Sequence, residues 1–393
     1  MTSTTANAES DARHMARAIV LARRGQLTCH PNPAVGCVLV KQDAVIGEGW
    51  HEKTGQGHAE ARALANAQSP TKGCTAYVTL EPCAHQGRTP PCTSALIDAG
   101  VSRVVAAMAD PDPRVSGAGF GRLRDAGVTV ECGLMQSQAE ALNPGYLSRL
   151  HRSRPFVRVK LAASIDGATA MADGISQWIT GEDARADGHR WRARASAVLT
   201  GIGTVLMDDP SLNPRVPGLS RSSTAIVLDS QWRMPPTARL LTANSRVIWV
   251  GCQSLPRPFW ADDVEGLEVL EVPPLAGRVD LSITLQQLAQ MDINELHVEC
   301  GSVLSGALLD AGLVDELLVY LAPTVMGRAS KGLFEVPGLE SMADRIALSF
   351  EQVRQVGTDL RLILKPLTPD PAPANANHRS ASNTSEDLPC SPE

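Results

Sequence analysis

TAYVTLEPCAHQGRTPPCTSALIDAG, residues 75–100, joins a strand, a stiff polar loop and a helix. The β-branched and aromatic residues of TAYVTL predict the strand, and TSALIDAG predicts a helix that ends at Gly100. The loop between them carries Cys83 and Cys92 together with three prolines, one histidine and one arginine. A disulfide, a metal site and two unrelated core cysteines are all compatible with this loop taken alone.

Helices and strands alternate on both sides of this unit. The segment SDARHMARAIVLARRG predicts a helix with Ser10 as its N-cap and Gly25 just past its end. PAVGCVLV and AVIGEGW predict a strand pair around a turn at residues 41–43, and HAEARALANA predicts a short helix. VSRVVAAM and GFGRLRDAGVTV add a strand and a helix–strand unit. This alternation predicts an α/β layered domain whose sheet is partly parallel.

A second pattern of the same kind begins near residue 154. Its predicted strands are FVRVKLAAS, SAVLTG, TAIVLD, RVIWVG, ELHVEC and ELLVYLAPTV, and helical stretches such as DARADGHRWRARA and LSGALLDAG lie between them. The segment ALNPGYLSRLHRSRP is the expected connector. We therefore predict a flexible N-terminus at residues 1–10, domains at 11–150 and 151–366, and a disordered tail at 367–393, which is rich in proline, serine and asparagine.

Composition limits the classes of function. The 393 residues are 43% hydrophobic and 20% charged, which is ordinary for a globular protein. The net charge of −6 argues against a general nucleic-acid binder. No apolar run is long enough for a membrane span, and the polar start MTSTTANAES does not resemble a secretory signal. We expect a cytoplasmic protein, in which the nine cysteines are fillers, ligands or nucleophiles rather than disulfides.

A second motif, upstream of the loop, completes a possible metal site. His58 opens a predicted helix, and with Cys83 and Cys92 it supplies one imidazole and two thiolates. Three such ligands leave the fourth tetrahedral position of Zn²⁺ open, which is typical of catalytic zinc. Zinc lowers the pKa of bound water to about 7 in favourable sites. The nearby Glu60 is therefore predicted to be catalytic, taking the proton and delivering it to a departing amine.

The H-x-E motif with a later P-C-x-x-C motif marks zinc nucleobase deaminases. Here the second motif is changed, because eight residues separate Cys83 from Cys92. The segments HPNPAVGCVLV, GHAEARAL, AYVTLEPCAHQGRTPPC and DPDPRVSGAGF closely resemble the deaminase half of the bifunctional riboflavin-biosynthesis deaminase–reductases. The resemblance implies a cytidine-deaminase-like three-layer domain. In this family, positions equivalent to Asn32, His85 and Arg88 lie beside the pyrimidine or the sugar phosphate, although turn hydrogen bonds would explain Asn32 and His85 equally well.

The C-terminal part lacks the G-x-G-x-x-G fingerprint of a Rossmann domain. Instead KLAASIDGATAM, SQWITG, TGIGTVLMDDPSLNPR and VECGSVLSGALL resemble the reductase half of the same family. This resemblance implies a dihydrofolate-reductase-like domain that uses NADPH. It implies cofactor contacts at Ala162, Trp178, Thr204, Asp208, Ser230, Gly301, Ser302, Val303, Leu304, Ser305, Gly306 and Ala307. It also implies substrate contacts at Ser176, Arg192, Leu212, Arg215 and Glu299.

The implied contacts are chemically reasonable. Arg192 and Arg215 can each hold a sugar phosphate through two hydrogen bonds, and Trp178 can lie against a planar ring. A core position for Trp178 and solvated surface positions for the arginines are the alternatives. Lys160 lies at a strand position that also matches the family, and a role in the reaction, a substrate contact and an ion pair all remain open for it.

We therefore expect a two-domain α/β enzyme with one Zn²⁺ per chain and NADPH, acting on a small phosphorylated pyrimidine. The family resemblance also implies a homodimer or a larger assembly, without nucleic-acid or membrane partners. Three alternatives remain: a nucleic-acid-editing deaminase with an accessory domain, a folate-type reductase with a non-catalytic zinc domain, and a metal-binding regulatory protein without turnover. The last requires a fourth protein ligand, and no residue has convincing spacing.

Overall fold

The structure is a computed structural model that describes residues 2–86, 90–219, 223–327 and 330–367. Arg88 and the predicted tail, apart from residue 367, therefore lie outside the described residues. The N-terminal part contains helices α1 (Thr2–Arg23), α2 (Ala59–Ala65), α3 (Cys92–Asp98), α4 (Ala118–Asp125), α5 (Gln136–Glu140) and α6 (Pro144–Arg152). Its strands are β1 (Gly36–Lys41), β2 (Ala44–Trp50), β3 (Thr75–Val78), β4 (Arg103–Ala106) and β5 (Thr129–Cys132).

These five strands form one sheet in the order β2-β1-β3-β4-β5. β1 is antiparallel to β2 and β3, whereas β3, β4 and β5 are parallel, as the alternation predicted. Gln42 and Asp43 have positive φ angles of 52° and 63° in the predicted β1–β2 turn. Such angles fit a two-residue hairpin turn, because its backbone twist matches that of the strands.

Helices cover both faces of this sheet. On one face Ala59, Ala63, Leu96 and Leu123 pack against strand residues such as Leu39. On the opposite face Met15, Ala18 and Leu21 pack against residues such as Val38. The two clusters make the three layers that the family resemblance implied.

Helix α1 differs from its prediction. It begins at Thr2 rather than after Ser10, so residues 2–10, which were predicted to be flexible, are helical in the structure. The hydroxyl of Ser10 contacts the carboxylate of Asp43 instead of capping the helix. The prediction of an N-cap at Ser10 is therefore wrong, because a distant turn residue accepts its hydrogen bond.

The C-terminal part is built on one large sheet. Its strands are β6 (Phe156–Ser164), β7 (Ala168–Ala170), β8 (Ala197–Gly201), β9 (Thr224–Leu228), β10 (Arg246–Cys252), β11 (Leu267–Val272), β12 (Pro274–Leu275), β13 (Arg278–Val279), β14 (Glu295–Val298), β15 (Glu316–Ala322), β16 (Lys331–Gly332), β17 (Leu348–Val356) and β18 (Asp359–Pro366). Its helices are α7 (Glu182–Arg194), α8 (Ile202–Asp208), α9 (Arg239–Ala243), α10 (Leu281–Gln290) and α11 (Ser302–Asp310), and Phe259–Asp263 form a 3₁₀ turn.

Nine strands of this part form a sheet in the order β11-β10-β9-β8-β14-β6-β15-β18-β17. The strands from β11 to β15 are parallel, and the β17–β18 hairpin adds an antiparallel edge. The carboxyl ends of β8 and β14 lie side by side and lead directly into α8 and α11. In a parallel sheet such adjacent ends form the usual ligand edge. Among the described residues, no helix combines the length and the apolar character needed to span a bilayer.

Candidate functional sites

The first site lies where α2 and α3 begin. His58 is the N-cap residue of α2, the helix that it was predicted to open, and Cys92 is the first residue of α3. The Nδ1 atom of His58 lies 3.6 Å from Cys83 Sγ and 3.3 Å from Cys92 Sγ. All three potential ligand atoms lie within 4.8 Å of one another.

This donor set fits a tetrahedral zinc ion. Bonds of about 2.3 Å to sulfur and about 2.0 Å to nitrogen place neighbouring ligand atoms about 3.5 Å apart. The observed separations from His58 Nδ1 to the two sulfur atoms are close to that value. Among the described residues, this is the one group of three or more histidine, cysteine or acidic side chains with metal-binding spacing. His58, Cys83 and Cys92 could thus hold zinc and leave one position open.

The electrostatics of the three groups favour a cation. A hydrogen bond with Cys92 lowers the pKa of Cys83 to about 4, and the same pairing raises the pKa of Cys92. The pKa of His58 is raised, mainly because its ring hydrogen-bonds to Cys83. The backbone N–H of Cys92 also donates to Cys83 Sγ at 3.4 Å. The two sulfur atoms therefore share a proton that a divalent cation would displace.

Glu60 follows the candidate ligand His58 by two residues. It lies in the first turn of α2 and is only 3% exposed. Burial raises its pKa, and its carboxylate is within hydrogen-bonding reach of Cys92. A raised pKa suits a group that must accept and then return a proton near neutral pH. Residues two apart on a regular helix point in different directions. His58 and Glu60 can nevertheless serve one site, because His58 is still extended, with ψ of 170°, before the helix starts.

A buried carboxylate that the sequence analysis missed supports the loop carrying Cys83. Glu81 is 3% exposed and accepts hydrogen bonds from the backbone N–H groups of Asp110, Gly117 and Phe120. It thereby ties the Cys83 loop to the segment DPDPRVSGAGF at residues 110–120. Sequence spacing cannot predict that one carboxylate accepts from three N–H groups, because these partners lie 29 to 39 residues away from Glu81.

Asn32 and His85 occupy different surroundings. Asn32 is half-buried, and its Nδ2 lies 3.1 Å from Nε2 of His51. His51 is itself buried, and its ring packs edge-on at 5.3 Å from that of His58. His85 is exposed on the loop. Asn32 is therefore linked through His51 to the candidate metal centre, a contact that no sequence motif indicated.

The second site lies at the carboxyl edge of the large sheet. Arg192 of α7 donates from Nε and Nη2 to both carboxylate oxygens of Glu299, each at 2.8 Å, and from Nη1 to the carbonyl of Asn213 at 2.9 Å. Burial acts to raise the pKa of Glu299, but Arg192, His297 and Lys160 together hold it well below its ordinary value. Two predicted substrate contacts are thus paired with each other.

Basic side chains surround this pair. Burial lowers the pKa of Lys160, whose Nζ lies 6.0 Å from the Tyr320 ring centre. The guanidinium of Arg215 lies 3.0 Å from Nε2 of His189, and its backbone N–H donates to His189 Nδ1 at 3.3 Å. Burial and then Arg192 and Arg215 lower the pKa of His189 to about 4, so that its ring is neutral. The cluster is suited to an anionic ligand such as a phosphate.

The predicted phosphate turn occupies the start of α11. Gly301 is its extended N-cap residue, and the first-turn N–H groups of a helix favour anions. A Cβ atom on Gly301 would meet nothing within 4 Å, so the turn is open to a ligand. A Cβ atom on Gly306 would instead lie 2.0 Å from the carbonyl oxygen of Glu335, and the Ser305 hydroxyl donates to the carbonyl of Leu333. The start of the turn could therefore hold a phosphate group, while Ser305 and Gly306 face the protein.

The remaining predicted contact residues differ in burial and in their hydrogen-bond partners. Ala162 and Thr204 are half-buried in β6 and α8, and Asp208 is exposed. The hydroxyl of Ser230 accepts from the backbone N–H of Val279, and Leu212 is buried with φ of 55°. Leu212 can therefore offer a ligand its backbone rather than its side chain.

Ser176 and Trp178 lie between β7 and α7. Trp178 is 68% exposed and has the Arg185 guanidinium 4.7 Å from its ring centre, so the alternative of a core tryptophan is wrong. The hydrogen bonds and ion pairs of the described residues do not connect Ser176, Trp178 or Asp208 to the Arg192 cluster.

Comparison with known proteins identifies the family of each part of the chain. Residues 8–108 match the family model described as the cytidine and deoxycytidylate deaminase zinc-binding region, and residues 155–362 match the RibD C-terminal domain. The riboflavin biosynthesis protein RibD of Escherichia coli K12 is 47% identical over 366 residues, covering 90% of this chain and 99% of the relative. That of Haemophilus influenzae is 44% identical, covering 91% and 97%.

Solved structures give the same result. Acinetobacter baumannii RibD superimposes with a TM-score of 0.86 at 42% identity, covering 92% of this chain and all of the other. The TM-score is 0.80, at 30% identity and with the same coverage, for a Thermotoga maritima protein described as a diaminohydroxyphosphoribosylaminopyrimidine deaminase/5-amino-6-(5-phosphoribosylamino)uracil reductase. The chain belongs to the RibD family of bifunctional riboflavin-biosynthesis deaminase–reductases.

Proposed function

We propose that this chain deaminates 2,5-diamino-6-(5-phosphoribosylamino)pyrimidin-4(3H)-one and then reduces the ribosyl side chain with NADPH. The product would be 5-amino-6-(5-phosphoribitylamino)uracil. The observation that carries the proposal is the presence, in one chain, of a three-ligand metal centre beside buried Glu60 and of a basic cluster at the carboxyl edge of a parallel sheet. Family membership supplies the identity of the substrate and of both cofactors.

In the deaminase part, at residues 11–150, His58, Cys83 and Cys92 would hold zinc. When bound, zinc supplies a Lewis acid that lowers the pKa of a water molecule at the open position. Glu60 would accept a proton from the attacking water and pass it to the departing amine, a role that its burial favours by raising its pKa. The loops that carry Asn32 and His85 would contact the pyrimidine phosphate.

In the reductase part, at residues 151–366, the start of α11 after Gly301 would bind a cofactor phosphate, and Ser305 and Gly306 would hold this turn against the protein. NADPH supplies the hydride, and the protein supplies orientation and a polar environment. Arg215 would hold the sugar phosphate, and the Arg192–Glu299 pair would fix the ribosyl group. Ala162, Trp178, Thr204, Asp208 and Ser230 complete the proposed cofactor contacts, and Ser176 and the backbone of Leu212 those to substrate. We also propose that the family's homo-oligomeric state applies here.

The proposal is tested by separating the two steps. Glu60→Gln keeps the shape of the side chain but removes its proton-accepting carboxylate. We expect ammonia release to fall by about 10²- to 10⁴-fold, while NADPH oxidation with the deaminated substrate is unchanged. Glu131→Gln, at a half-exposed carboxylate of β5, is the matched control and should leave both rates unchanged. Normal ammonia release by Glu60→Gln would refute the role of Glu60.

A further inference from the structure

A short loop of the deaminase part contacts the reductase part. We call residues 29–33, between α1 and β1, the bridging loop. Nε2 of His30 lies 2.5 Å from the carbonyl oxygen of Arg194, and the carbonyl of Pro31 accepts from Nδ2 of Asn294 at 2.6 Å. Both of these partners belong to the reductase part. Residues of both sides, including His30 of the loop and Arg194 and Asn294 of the reductase part, line a cavity of about 20 Å³.

The opposite side of the bridging loop faces the candidate zinc centre. Asn32, directly after Pro31, donates from Nδ2 to Nε2 of His51 at 3.1 Å. The other ring nitrogen of His51, Nδ1, donates to the carbonyl oxygen of Gly57 at 3.4 Å. One neutral tautomer of the His51 ring satisfies both contacts. Gly57 immediately precedes His58, so the chain of contacts ends at a candidate metal ligand.

Asn294 is held firmly at the other end. It is 3% exposed, and its Oδ1 accepts from Nε of Arg149 at 2.5 Å. Its backbone N–H donates to the hydroxyl of Ser196 at 3.2 Å. These contacts leave Nδ2 directed across the interface at Pro31. The amide therefore has one orientation, with its oxygen on Arg149 and its nitrogen on the bridging loop.

We propose that Asn294, although it belongs to the reductase part, is a positioning residue for deamination. By holding Pro31 it fixes the side chain of Asn32. Nδ2 of Asn32 then stays on His51, and Oδ1 is available to the pyrimidine substrate. The inference rests on the proposed function, because the substrate contact of Asn32 is itself proposed. It follows that the deaminase site is complete only when the reductase part is docked.

Asn294→Asp is the most selective test in the full-length protein. The substitution keeps an oxygen for Arg149 but replaces the N–H donor with an acceptor that faces the carbonyl of Pro31. Steady-state ammonia release and NADPH oxidation with the deaminated substrate are measured separately. We expect kcat/KM for deamination to fall about tenfold, mainly through KM, and the reduction to stay within twofold of wild type. A tenfold loss corresponds to about 1.4 kcal/mol.

A matched control and a double mutant separate positioning from general damage. Asp292→Asn removes the 3.4 Å ion pair of Asp292 with Arg149 without touching the bridging loop, and its φ of 61° suits asparagine. Both of its activities should equal those of wild type. If Asn294 acts through Asn32, Asn294→Asp should cost much less in an Asn32→Ala background than alone, because coupled residues are not additive.

The outcomes are distinct. Wild-type deamination by Asn294→Asp, an equal loss of both activities, or strictly additive effects with Asn32→Ala would each overturn the positioning role. A wild-type protein that releases no ammonia from the diaminopyrimidine phosphate would overturn the proposed function, and this inference with it.

Discussion

Replacing the buried Arg158 with methionine tests the electrostatic core of the reductase part. Arg158 is 1% exposed, contacts the carboxylates of Glu295 and Glu316, and lies with its guanidinium 4.5 Å from the Trp191 ring centre. Methionine fills similar space but leaves two carboxylates without this partner. Removing one member of a buried ion pair costs about 3–5 kcal/mol, because the remaining charge stays desolvated.

The pKa of Glu295 gives an independent magnitude for the contribution of this ion pair to stability. Burial acts to raise the pKa of Glu295, but Arg158 and then Arg194 lower it from the ordinary 4.5 to about 2. That shift corresponds to about 3 kcal/mol of stability, fully present above pH 4.5 and lost as the pH falls toward 2. Without Arg158 the pKa of Glu295 should rise, so protonation relieves the unpaired charge. The destabilisation by Arg158→Met should therefore be largest near pH 7 and smaller at pH 5.

Urea and thermal unfolding followed by tryptophan fluorescence suit this experiment, because five of the six tryptophans lie after residue 150. We expect a loss of about 3–5 kcal/mol at pH 7 and a fall of about 10 °C in Tm. Arg246→Met is the control, since Arg246 pairs with the half-exposed Glu268 and should cost less than about 1 kcal/mol. A loss at Arg158 no larger than that at Arg246, or one that does not shrink at pH 5, would refute the reasoning.

Three further predictions concern the two sites. Cys83→Ser should lose zinc, measured by elemental analysis, and ammonia release, while NADPH oxidation with the deaminated substrate continues; retained stoichiometric zinc would contradict the ligand assignment. Gly306→Ala should lower the free energy of unfolding by about 1–3 kcal/mol and weaken NADPH binding, because its Cβ would lie 2.0 Å from the Glu335 carbonyl oxygen; an unchanged Tm and Kd would argue against this close contact. Arg215→Met should raise KM for the reductase substrate at least tenfold with ammonia release intact, and an unchanged KM would remove Arg215 from the phosphate site.

Local pattern was sufficient for much of the fold. Apolar and β-branched runs predicted all five strands of the first sheet and six of the nine strands of the second, but not β11, β17 or β18. The boundaries of β6, β8 and β14 agree with the structure within two residues. The helix that His58 opens and the helix after the Cys83 loop were predicted from the segments HAEARALANA and TSALIDAG, and both are present as α2 and α3. These features depend on a few neighbouring residues, which is why the sequence predicted them.

Long-range features could not be predicted in the same way. The order of nine strands and the β17–β18 edge depend on pairings between distant segments. Ser10 lost its capping role to a contact with Asp43, 33 residues away. Likewise the links from Glu81 to Asp110 and from Asn294 to Pro31 join residues whose spacing carries no periodic signal.

Side-chain orientation was a further limit at the reductase site. The family resemblance implied Ser230 and Ser305 as cofactor contacts, but both hydroxyls have protein partners in the structure. The pairing of Arg192 with Glu299 was not anticipated from either residue alone. The sequence thus indicated which segments form the site, and the fold determined which atoms remain available to a ligand.

The most direct measurement of the central claim is one reaction followed in two channels. The purified full-length protein receives the diaminopyrimidine phosphate and NADPH, and ammonia release and NADPH loss are recorded together for wild type and for Glu60→Ala. We predict that ammonia release precedes NADPH loss and that the substitution stops both, because the reductase part receives no deaminated substrate. NADPH loss without ammonia, unchanged in Glu60→Ala, would contradict the account and leave a reductase with a non-catalytic metal domain.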